Sequence, residues 1–506
     1  MKALCSLIIV IIFFPIHTSA QEDDVTMFVE FGGTAHGGRH TPLWHNSLQH
    51  GLSSIDNNAH LRFGSQWRDS INKDWMLTIG LDVAFVSRKQ SEIILQQAYA
   101  DLAWRCLGLS IGSKEMSSRF FNNDLSSGDL VWSGNARPIP QVQVGIFNYI
   151  PVLRSSWASV RGEMAYGWWT DGNYLDEMAK YDSPNIEPVR WYTRNIKYHR
   201  KEFAFRFGKS TAPWQLDVAY RMDNQFGGYM MYHPNRTWFP TDFDLGNGLK
   251  NYWKAFLPQK SGSAEDGLRG EKIAAEGNFL GSELFKFTYK FPQYRLSAYM
   301  QNFFDDFSGM GKMNGLDGLW GLEYHSNNKK ALLRAAVLEY YQTTDQSGPL
   351  HGSDASDGEK THGADDYYNH SLYQGWTHWG QGMANPLIPS PVYFSDQIVY
   401  SNWSRGDDSY RGYMGFPYNR VKAIHVGFQG DLTLNWAYRL KFSKSRTWGT
   451  PFSPALEPLD NLSAFFEISC APLRWWGMQV ATSVAFDQGD IYGDNIGAQI
   501  KVRKLF

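Results

Sequence analysis

The chain has 506 residues, a formal net charge of −2, 16% aromatic residues and 3 cysteines. Acidic and basic residues nearly balance, so the composition does not indicate a basic surface, and we do not expect nucleic acid as a partner. Only Cys106 and Cys470 follow the N-terminal segment, which excludes a disulfide framework and leaves open whether these two pair.

The first 20 residues have the pattern of a secretory signal peptide. Lys2 precedes an apolar run over residues 7–14, and small residues precede Gln21. This run is shorter than the about 20 apolar residues that a membrane-spanning helix needs. We therefore expect cleavage near Gln21. Residues 21–506 are expected to form one domain, because no linker or fixed repeat divides them.

Alternating apolar and polar residues recur along the chain, as in β-strands with one apolar face. The clearest runs are Trp75 to Phe85, Phe203 to Phe207, Trp214 to Tyr220, Leu432 to Phe442 and Met478 to Phe486. Several runs reach about ten residues, the length that crosses a bilayer at the tilt of a barrel strand. Strands of soluble β-proteins are usually shorter.

The ends of these runs favour a membrane barrel. Trp75, Trp214 and Tyr220 lie near run ends, where aromatic girdles belong. The chain finishes on an alternating strand that ends at Phe506, a common signal for the barrel assembly machinery. A secreted β-sandwich is the alternative, but a large open sheet leaves hazardous edges that closure removes. We therefore expect an all-β protein, a transmembrane antiparallel β-barrel in contact with outer-membrane lipid.

The sequence lacks the usual catalytic motifs. We find no phosphate-binding loop, zinc-protease helix, Cys-x-x-Cys pair or nucleophile elbow. Asp365 and Asp366 are adjacent, so in an extended chain they point to opposite sides rather than face each other. Four histidines of one region lack the spacing of a standard metal site: His351, His362, His370 and His378. We expect no catalytic residues, no metal and no cofactor.

The irregular stretch from Gly363 to Pro391 is crowded with tyrosines, tryptophans, histidines and amides. Sugar rings stack their C–H faces on aromatic planes, and their hydroxyls need polar partners. The side chains that could bind a polysaccharide here are Tyr367, Tyr368, Asn369, Tyr373, Trp376, Trp379 and Asn385. The alternative is that this stretch plugs or braces a barrel, with its polar tips bonded to the lumen wall.

A second unusual stretch, "NARPIP", covers Asn135 to Pro140. Pro138 and Pro140 stiffen an extended approach to a strand that begins near Gln141, which favours a structural role. Arg137 is the exception, because its rigid fork of donors suits an acidic sugar.

Four stretches resemble the Wzi-type capsule assembly proteins of the Gram-negative outer membrane. They are "GRHTPLWHNSLQHG" from Gly38, "LSSGDLVWSGNARPIPQVQVGI" from Leu125, "VLEYYQTTDQSGPLHG" from Val337 and "DDYYNHSLYQGWTHWGQGMANPLIP" from Asp365. The parts from Ser133 to Pro140 and from Tyr367 to Pro386 are the most specific. One departure is "YQGWTHWG", where a second glycine before the tryptophan is expected.

The resemblance implies a barrel of about 18 strands with long extracellular loops and a minor periplasmic helix. We also expect a periplasmic N-terminal segment over about residues 21–59 and a large extracellular region over about 344–420. The implied function is that of a lectin, not an enzyme, that helps hold capsular or other surface polysaccharide on the cell. The alternatives are a porin or sugar transporter, and an outer-membrane hydrolase of lipid or glycan.

Counting strands backwards from the C-terminus predicts the orientation of the last strands, because both termini of bacterial barrels lie in the periplasm. The final strand descends towards the periplasm. The strands before it are expected to alternate in direction: Gly477 to Asp487, Leu462 to Cys470, Leu432 to Phe442 and Val421 to Gln429. A long, proline-broken outer loop is expected after Phe442. Residues 344–420 then begin outside, and a strand over Pro391 to Trp403 would need a partner there.

Overall fold

The structure is a computed structural model that describes most of the chain after the N-terminal segment. The residues described are 24–87, 92–152, 157–180, 191–232, 242–257, 277–305, 307–349, 364–370, 372–394 and 415–506. The expected signal peptide and most of the expected strand over Pro391 to Trp403 lie outside these residues, as do His351 and His362.

Eighteen strands form a single antiparallel sheet. They are β1 (Asp24–Gly37), β2 (Asn58–Asp69), β3 (Trp75–Ser87), β4 (Ile93–Trp104), β5 (Leu107–Ser113), β6 (Gln141–Pro151), β7 (Ala158–Trp168), β9 (Lys197–Phe207), β10 (Trp214–Phe226), β13 (Asn278–Lys290), β14 (Tyr294–Phe304), β15 (Gly318–Ser326), β16 (Ala335–Gln342), β19 (Val421–Asp431), β20 (Trp436–Gly449), β21 (Pro454–Cys470), β22 (Met478–Gly489) and β23 (Asn495–Leu505). Five further strands lie outside the barrel wall: β8 (Trp191–Arg194), β11 (Tyr229–Tyr232), β12 (Asp242–Asp244), β17 (Thr377–His378) and β18 (Gln381–Gly382).

The sheet closes on itself because β1 pairs with β2 on one side and with β23 on the other. Phe28 lies opposite Leu505 and Gly37 lies opposite Ile496 in the closing pair. Closure pairs the backbone of every wall strand and leaves no exposed sheet edge. The expected all-β antiparallel barrel is therefore confirmed, with 18 strands.

The wall alternates between apolar side chains outside and polar side chains inside. On β20 the side chains of Trp436 and Phe442 point outward, with 48% and 45% of their surface exposed. Ser443 and Thr447 on the same strand are buried in the lumen. This outward apolar belt is the surface that a bilayer covers, and the inward polar face is typical of an outer-membrane barrel.

Short turns and long connections lie at opposite ends of the barrel. Tight turns such as 70–74 and 432–435 define the short-turn end, whereas connections such as 114–140 and 343–420 define the long-connection end. Asp24 and Phe506 both lie at the short-turn end, since Phe506 N donates to Met27 O at 2.9 Å. In bacterial barrels this end faces the periplasm.

Aromatic rings gather outside the barrel at the short-turn end. The ring centroids of Trp75 and Trp104 lie 5.9 Å apart. The ring centroids of Trp157, directly before β7, and Phe207 of β9 lie 5.8 Å apart. Such rings form the girdle expected where the apolar belt meets the polar membrane interface.

The last five wall strands alternate in direction as predicted, although their bounds differ. Leu432 to Asn435 form a turn rather than strand, with Leu432 N donating to Trp436 O at 2.8 Å. The predicted long loop after Phe442 is wrong. β20 continues to Gly449 and β21 begins at Pro454, because the pairing extends past Arg446, which bonds to Asp460 at 2.6 Å. The prolines lie where the ladder shifts register.

The expected periplasmic N-terminal segment is also wrong for residues 24–59. Residues 24–37 form β1, and residues 38–57 enter the lumen from the long-connection end. There the short helix α1 (Leu43–Asn46) contacts the wall through Leu43 N, which donates to Asp487 Oδ2 at 3.0 Å. Residues 24–37 belong to the wall because their backbone pairs with β2 on one side and with β23 on the other.

Three further α-helices lie in long connections: α2 (Gly172–Lys180), α3 (Leu249–Phe256) and α4 (Phe307–Met310). The expected minor periplasmic helix is therefore not one of these. In the described part of the chain, the short-turn end carries the 3-10 turn Leu473–Trp475. None of the described helices is long and apolar enough to span a membrane.

Candidate functional site

The lumen is crossed from mid-height to the long-connection end by residues 114–140, which we call the floor segment. β5 ends early, at Ser113, which pairs with Ala98 near the middle of β4. The chain then turns inward and touches several walls. Lys286 Nζ on β13 donates to Phe120 O at 2.6 Å, and His425 Nε2 on β19 donates to Leu125 O at 2.7 Å. The floor segment therefore reaches from one side of the barrel to the other.

A carboxylate fixes the far part of the floor segment to the wall. Glu339 on β16 accepts hydrogen bonds from Ser126 Oγ and Ser127 Oγ, both at 2.6 Å. Tyr299 on β14 donates to the same carboxylate at 2.5 Å. Gly427 lies beside Leu125, where a Cβ would come within 2.8 Å of Leu125 O. A glycine is needed there because the backbone of the floor segment approaches the wall so closely.

Residues 364–394 lie above the floor segment, and we call them the aromatic segment. Trp376 Nε1 donates to Val131 O at 2.7 Å, and Tyr368 OH donates to Leu130 O at 2.7 Å. Gly375 has a φ of 78°, and the small hairpin of β17 and β18 follows it. The turn therefore forms with the single glycine that the sequence provides.

All four sequence stretches that carry the family resemblance meet in the lumen. Asn135 Nδ2 donates to Gly382 O at 2.9 Å, and Leu48 N donates to Asn135 Oδ1 at 3.0 Å. Gln346 Oε1 accepts from Tyr367 N at 3.2 Å. These bonds join the stretches that begin at residues 38, 125, 337 and 365, which lie far apart in the chain.

Most of the predicted sugar-binding side chains are buried inside this assembly. Tyr367, Tyr368 and Trp376 are 0% exposed and Tyr373 is 3% exposed. Their polar tips bond to protein, as at Tyr367 OH, which accepts from Asn314 Nδ2 at 3.0 Å. In this arrangement their ring faces pack on protein, which matches the bracing alternative.

The two predicted amides also bond within the lumen. Asn369 Nδ2 donates to Asp366 Oδ1 and to Phe416 O, both at 3.0 Å. Asn385 Nδ2 donates to Gly128 O at 2.7 Å and to Ser127 Oγ at 3.0 Å. Asn385 therefore ties the aromatic segment to the floor segment.

Trp379 differs from the other rings because it is only partly buried. The guanidinium carbon of Arg137 lies 4.0 Å from the centroid of its ring, within the range of a cation–π contact. Trp379 N donates to Asp171 Oδ2 at 3.3 Å. Trp379 has a φ of 56°, which is uncommon for a bulky residue. The structure thus brings two predicted residues, Arg137 and Trp379, together at one corner.

Burial sets the charge of two groups at this corner. It raises the pKa of Asp171 from 3.8 to about 7, although Trp379 N and the charge of Arg137 oppose the change. Burial lowers the pKa of His378 to about 3, so this ring is neutral. Its Nδ1 donates to Arg137 O at 2.9 Å, and its Nε2 lies 3.0 Å from Thr170 Oγ1. His378 is therefore a neutral linker between segments.

Cavities lined by described residues adjoin the plug that the floor and aromatic segments form. The cavity at the Arg137–Trp379 corner measures about 10 Å³, room for about one water molecule. A larger cavity of about 250 Å³ lies beside the floor segment. Its lining includes charged residues of both signs: Lys114, Arg119, Asp129, Glu163, Arg200 and Arg221. The corner cannot enclose a sugar, so a sugar could only rest on its rim.

Within the described residues, no group of three or more His, Cys, Asp or Glu side chains has the arrangement of a metal site. Asp366 accepts from Asn369 and Asn419 instead of facing a second carboxylate. Cys106 is exposed and Cys470 is buried, and both are free thiols.

The sequence analysis did not predict the floor segment. The lack of alternation in the residues between β5 and β6 could have indicated it.

No family model matches the sequence, and no curated protein matches it. Among solved structures, the chain is similar to Wzi of Escherichia coli, described as a carbohydrate-binding β-barrel involved in group 1 capsule assembly. The TM-score is 0.54 and the identity 14%, over 94% of this chain and 83% of that one. It also aligns with OpdQ of Pseudomonas aeruginosa, with a TM-score of 0.47 and 8% identity over 96% of this chain and 99% of that one.

The class of protein follows from these observations. The closed sheet of 18 strands, its outward apolar belt and its polar lumen define an outer-membrane β-barrel. The TM-score of 0.54 shows that the chain shares its fold with Wzi, and because the identity is only 14%, membership of the Wzi-type family stays a prediction.

Proposed function

We propose that this barrel binds capsular or other surface polysaccharide at its long-connection end and helps hold it on the Gram-negative cell surface. The observation that carries the proposal is the meeting of all four motif stretches in the lumen, where Asn135 joins three of them and Gln346 joins the fourth. Residues that resemble a capsule-binding family thus form one assembly in this chain. The carbohydrate-binding barrel of similar fold supports the same proposal.

Within this proposal, the predicted residues have two roles. The four buried rings, Tyr367, Tyr368, Tyr373 and Trp376, brace the plug. We assign the contact surface to the partly exposed ring of Trp379 and to the edge of the Arg137 side chain beside it, which is 8% exposed. An acidic polysaccharide suits this pair, since an arginine binds carboxylates through paired hydrogen bonds.

The filled lumen makes an open porin a weaker candidate. The floor segment and the aromatic segment lie one above the other and bond to each other through Asn385 and Trp376. A diffusing solute would have to displace both layers. We propose that holding polysaccharide, rather than passing solutes, is the main role.

We also propose that the protein is not an enzyme. Two serine–histidine pairs occur in the lumen, His425 with Ser443 at 2.7 Å and His45 with Ser483 at 3.0 Å. Both serines are at most 3% exposed, and His425 also bonds to the floor segment. A hydrolase would need its nucleophile to reach substrate. These pairs hold the lumen segments in place.

Direct binding tests the proposal. Purified full-length protein in detergent is applied to capsular polysaccharides and to a glycan array, beside Arg137→Ala/Trp379→Ala and a control, Trp476→Ala, whose ring is 83% exposed at the short-turn end. We expect the wild type and the control to bind and the double variant to lose binding. Equal binding by all three proteins, or by none, would contradict the proposal.

A further inference from the structure

The connection between β10 and β13 places an amphipathic helix on the outside of the barrel. This helix, α3 (Leu249–Phe256), begins at a turn in which Gly248 N donates to Asn251 Oδ1 at 3.1 Å. The residues beneath it show which side of the wall it covers.

α3 packs on outward-facing residues of β7, β9 and β10. On β9, Phe203 and Phe205 point to the lipid, and Lys201 and His199 follow on the same face by strand alternation. His199 is nevertheless only 1% exposed. The Phe256 ring of α3 lies 5.7 Å from the ring of His199, and Lys201 Nζ donates to Phe256 O.

A second set of contacts comes from Tyr252 of α3. Its ring lies 5.3 Å from Tyr166 on β7 and 5.1 Å from Phe226 on β10. Tyr166 OH also donates to Tyr252 O at 3.0 Å. Tyr166 shares its face with Trp168, which is 44% exposed at the rim. α3 therefore covers the outer wall just above the apolar belt.

Packing uses one face of α3 and leaves an apolar stripe on the other. Leu249 is 89% exposed, Trp253 is 57% exposed, and Leu257 directly after the helix is 41% exposed. Residues four apart lie on the same side of a helix, so these three side chains form one stripe. Ala255 and Lys254 are buried on the opposite face.

We propose that α3 is an interfacial helix that docks on the outer leaflet of the membrane, with lipid as the partner of the Leu249–Trp253–Leu257 stripe. The belt on β9 reaches Phe203, and the next outward residue, Lys201, is covered by α3. The stripe on the free face of α3 therefore lies directly next to the belt. A helix with a Trp and leucines on its free face is suited to the boundary of acyl chains and headgroups. The inference does not depend on polysaccharide binding.

The helix also has a role in covering polar wall residues at this depth. Lys201 carries a charge that would otherwise face the lipid boundary, and the C-terminal carbonyl of Phe256 accepts its hydrogen bond. A cation at a helix C-terminus is favourable. With α3 in place, the surface that faces the lipid at this depth is the apolar stripe rather than the charged side chain of Lys201.

Spin labelling in proteoliposomes tests the inference. The background is Cys106→Ser with Cys5, in the expected signal peptide, also changed to Ser, so that the buried Cys470 is the one native cysteine left. Single cysteines then replace Leu249 and Trp253 and carry a nitroxide. Phe203→Cys in the belt is the lipid control, and Asp490→Cys, at an exposed position in the loop before β23, is the water control. Power saturation compares collisions with oxygen, which concentrates in lipid, and with a water-soluble nickel chelate.

We expect oxygen collisions to exceed nickel collisions at Leu249→Cys and Trp253→Cys, as at Phe203→Cys. Nickel-dominated collisions like those at Asp490→Cys would place the stripe in water and overturn the inference. Low accessibility to both reagents would show that protein covers the stripe and would also overturn it. Spin–spin broadening that dilution with unlabelled protein removes would identify that cover as a second copy. Each variant is first checked for the heat-dependent gel shift of a folded barrel.

Discussion

Asn135 Nδ2 donates to the carbonyl oxygen of Gly382 at 2.9 Å, across a separation of 247 residues in the chain. The same side chain accepts from Leu48 N through its Oδ1. One buried amide thus joins the N-terminal lumen segment, the floor segment and the aromatic segment. This residue gives the first test of the plug.

Asn135→Ala should loosen the plug without unfolding the barrel. The substitution leaves Gly382 O and Leu48 N without their partner, at a cost of about 1–3 kcal/mol for each buried group. We expect faster amide hydrogen exchange in residues 364–394 and unchanged exchange in the wall strands. The exposed Asn123→Ala, in the same segment, is the matched control. Equal protection in both variants would show that the amide does not hold the layers together.

Removing the floor segment should open the lumen. If residues 115–139 are replaced by a short glycine–serine turn, the barrel keeps its wall strands but loses the layer that Glu339 and His425 hold. Planar-bilayer recordings should show small conductance for the wild type and a clearly larger conductance for the shortened protein. A large wild-type conductance would instead favour the porin alternative.

Protein stability at the Arg137–Trp379 corner should depend on pH through Asp171. Burial raises its pKa from 3.8 to about 7, so the folded state binds the proton more tightly than the unfolded state does. Its contribution to stability is therefore greatest below about pH 4 and falls as the pH rises to about 7. Hydrogen exchange of Trp379 and its neighbours, corrected for intrinsic rates, should show more opening at pH 8 than at pH 5. Asp171→Asn should remove most of that difference, and an unchanged pH dependence in this variant would exclude Asp171 as its source.

The wall could be predicted from the sequence because each strand carries its own signal. Alternation such as that of Trp436 to Phe442 depends on neighbouring residues only, and the bilayer selects the apolar face. The plug could not be predicted in this way. Tyr367 packs on Phe303, Tyr368 bonds to Leu130 and Trp376 bonds to Val131, and all three partners are distant in sequence. No local sequence pattern distinguishes a tyrosine that braces the plug from one that binds a sugar.

The strand bounds show the same limit. The prolines after Thr450 favour a loop, yet the ladder reaches Gly449 and resumes at Pro454 because Arg446 and Asp460 pair across it. The N-terminal segment was misplaced because closure with the C-terminal strand joins opposite ends of the chain. In both cases, strand pairing between distant parts of the chain determines which residues are strand, and the local sequence does not show it.

The orientation of the barrel predicts which residues are reachable from outside. Residues 343–420 begin after β16 and end before β19, both at the long-connection end. An epitope tag near Ser356, outside the described residues, should bind antibody on intact cells that lack capsule. A tag in the turn 432–435 is the matched control and should be labelled only after permeabilisation. The reverse pattern would place the proposed contact surface in the periplasm.

Arg137 and Trp379 should contribute separately to polysaccharide binding. A hydrogen bond to a charged group is worth about 1.5–3 kcal/mol, so Arg137→Ala should weaken binding of an acidic polysaccharide roughly tenfold or more. Arg137→Lys keeps the charge but loses the planar fork of donors, so its affinity should lie between those of the wild type and Arg137→Ala. Titration with a neutral polysaccharide separates the contribution of the Arg137 charge from that of stacking on Trp379, because a neutral sugar can only stack. If Arg137→Ala binds as the wild type does, the guanidinium group supports Trp379 only through packing.

Retention of polysaccharide on living cells tests the central claim most directly. A capsule-producing strain that lacks this protein is complemented with the wild type, with Arg137→Ala/Trp379→Ala, or with the exposed control Trp476→Ala, each at equal barrel levels by gel shift. Cell-bound and released polysaccharide are then measured. We predict that the wild type and the control keep polysaccharide on the cells and that the double variant releases it into the medium. Equal retention in all three strains would contradict the claim that this corner binds the polysaccharide.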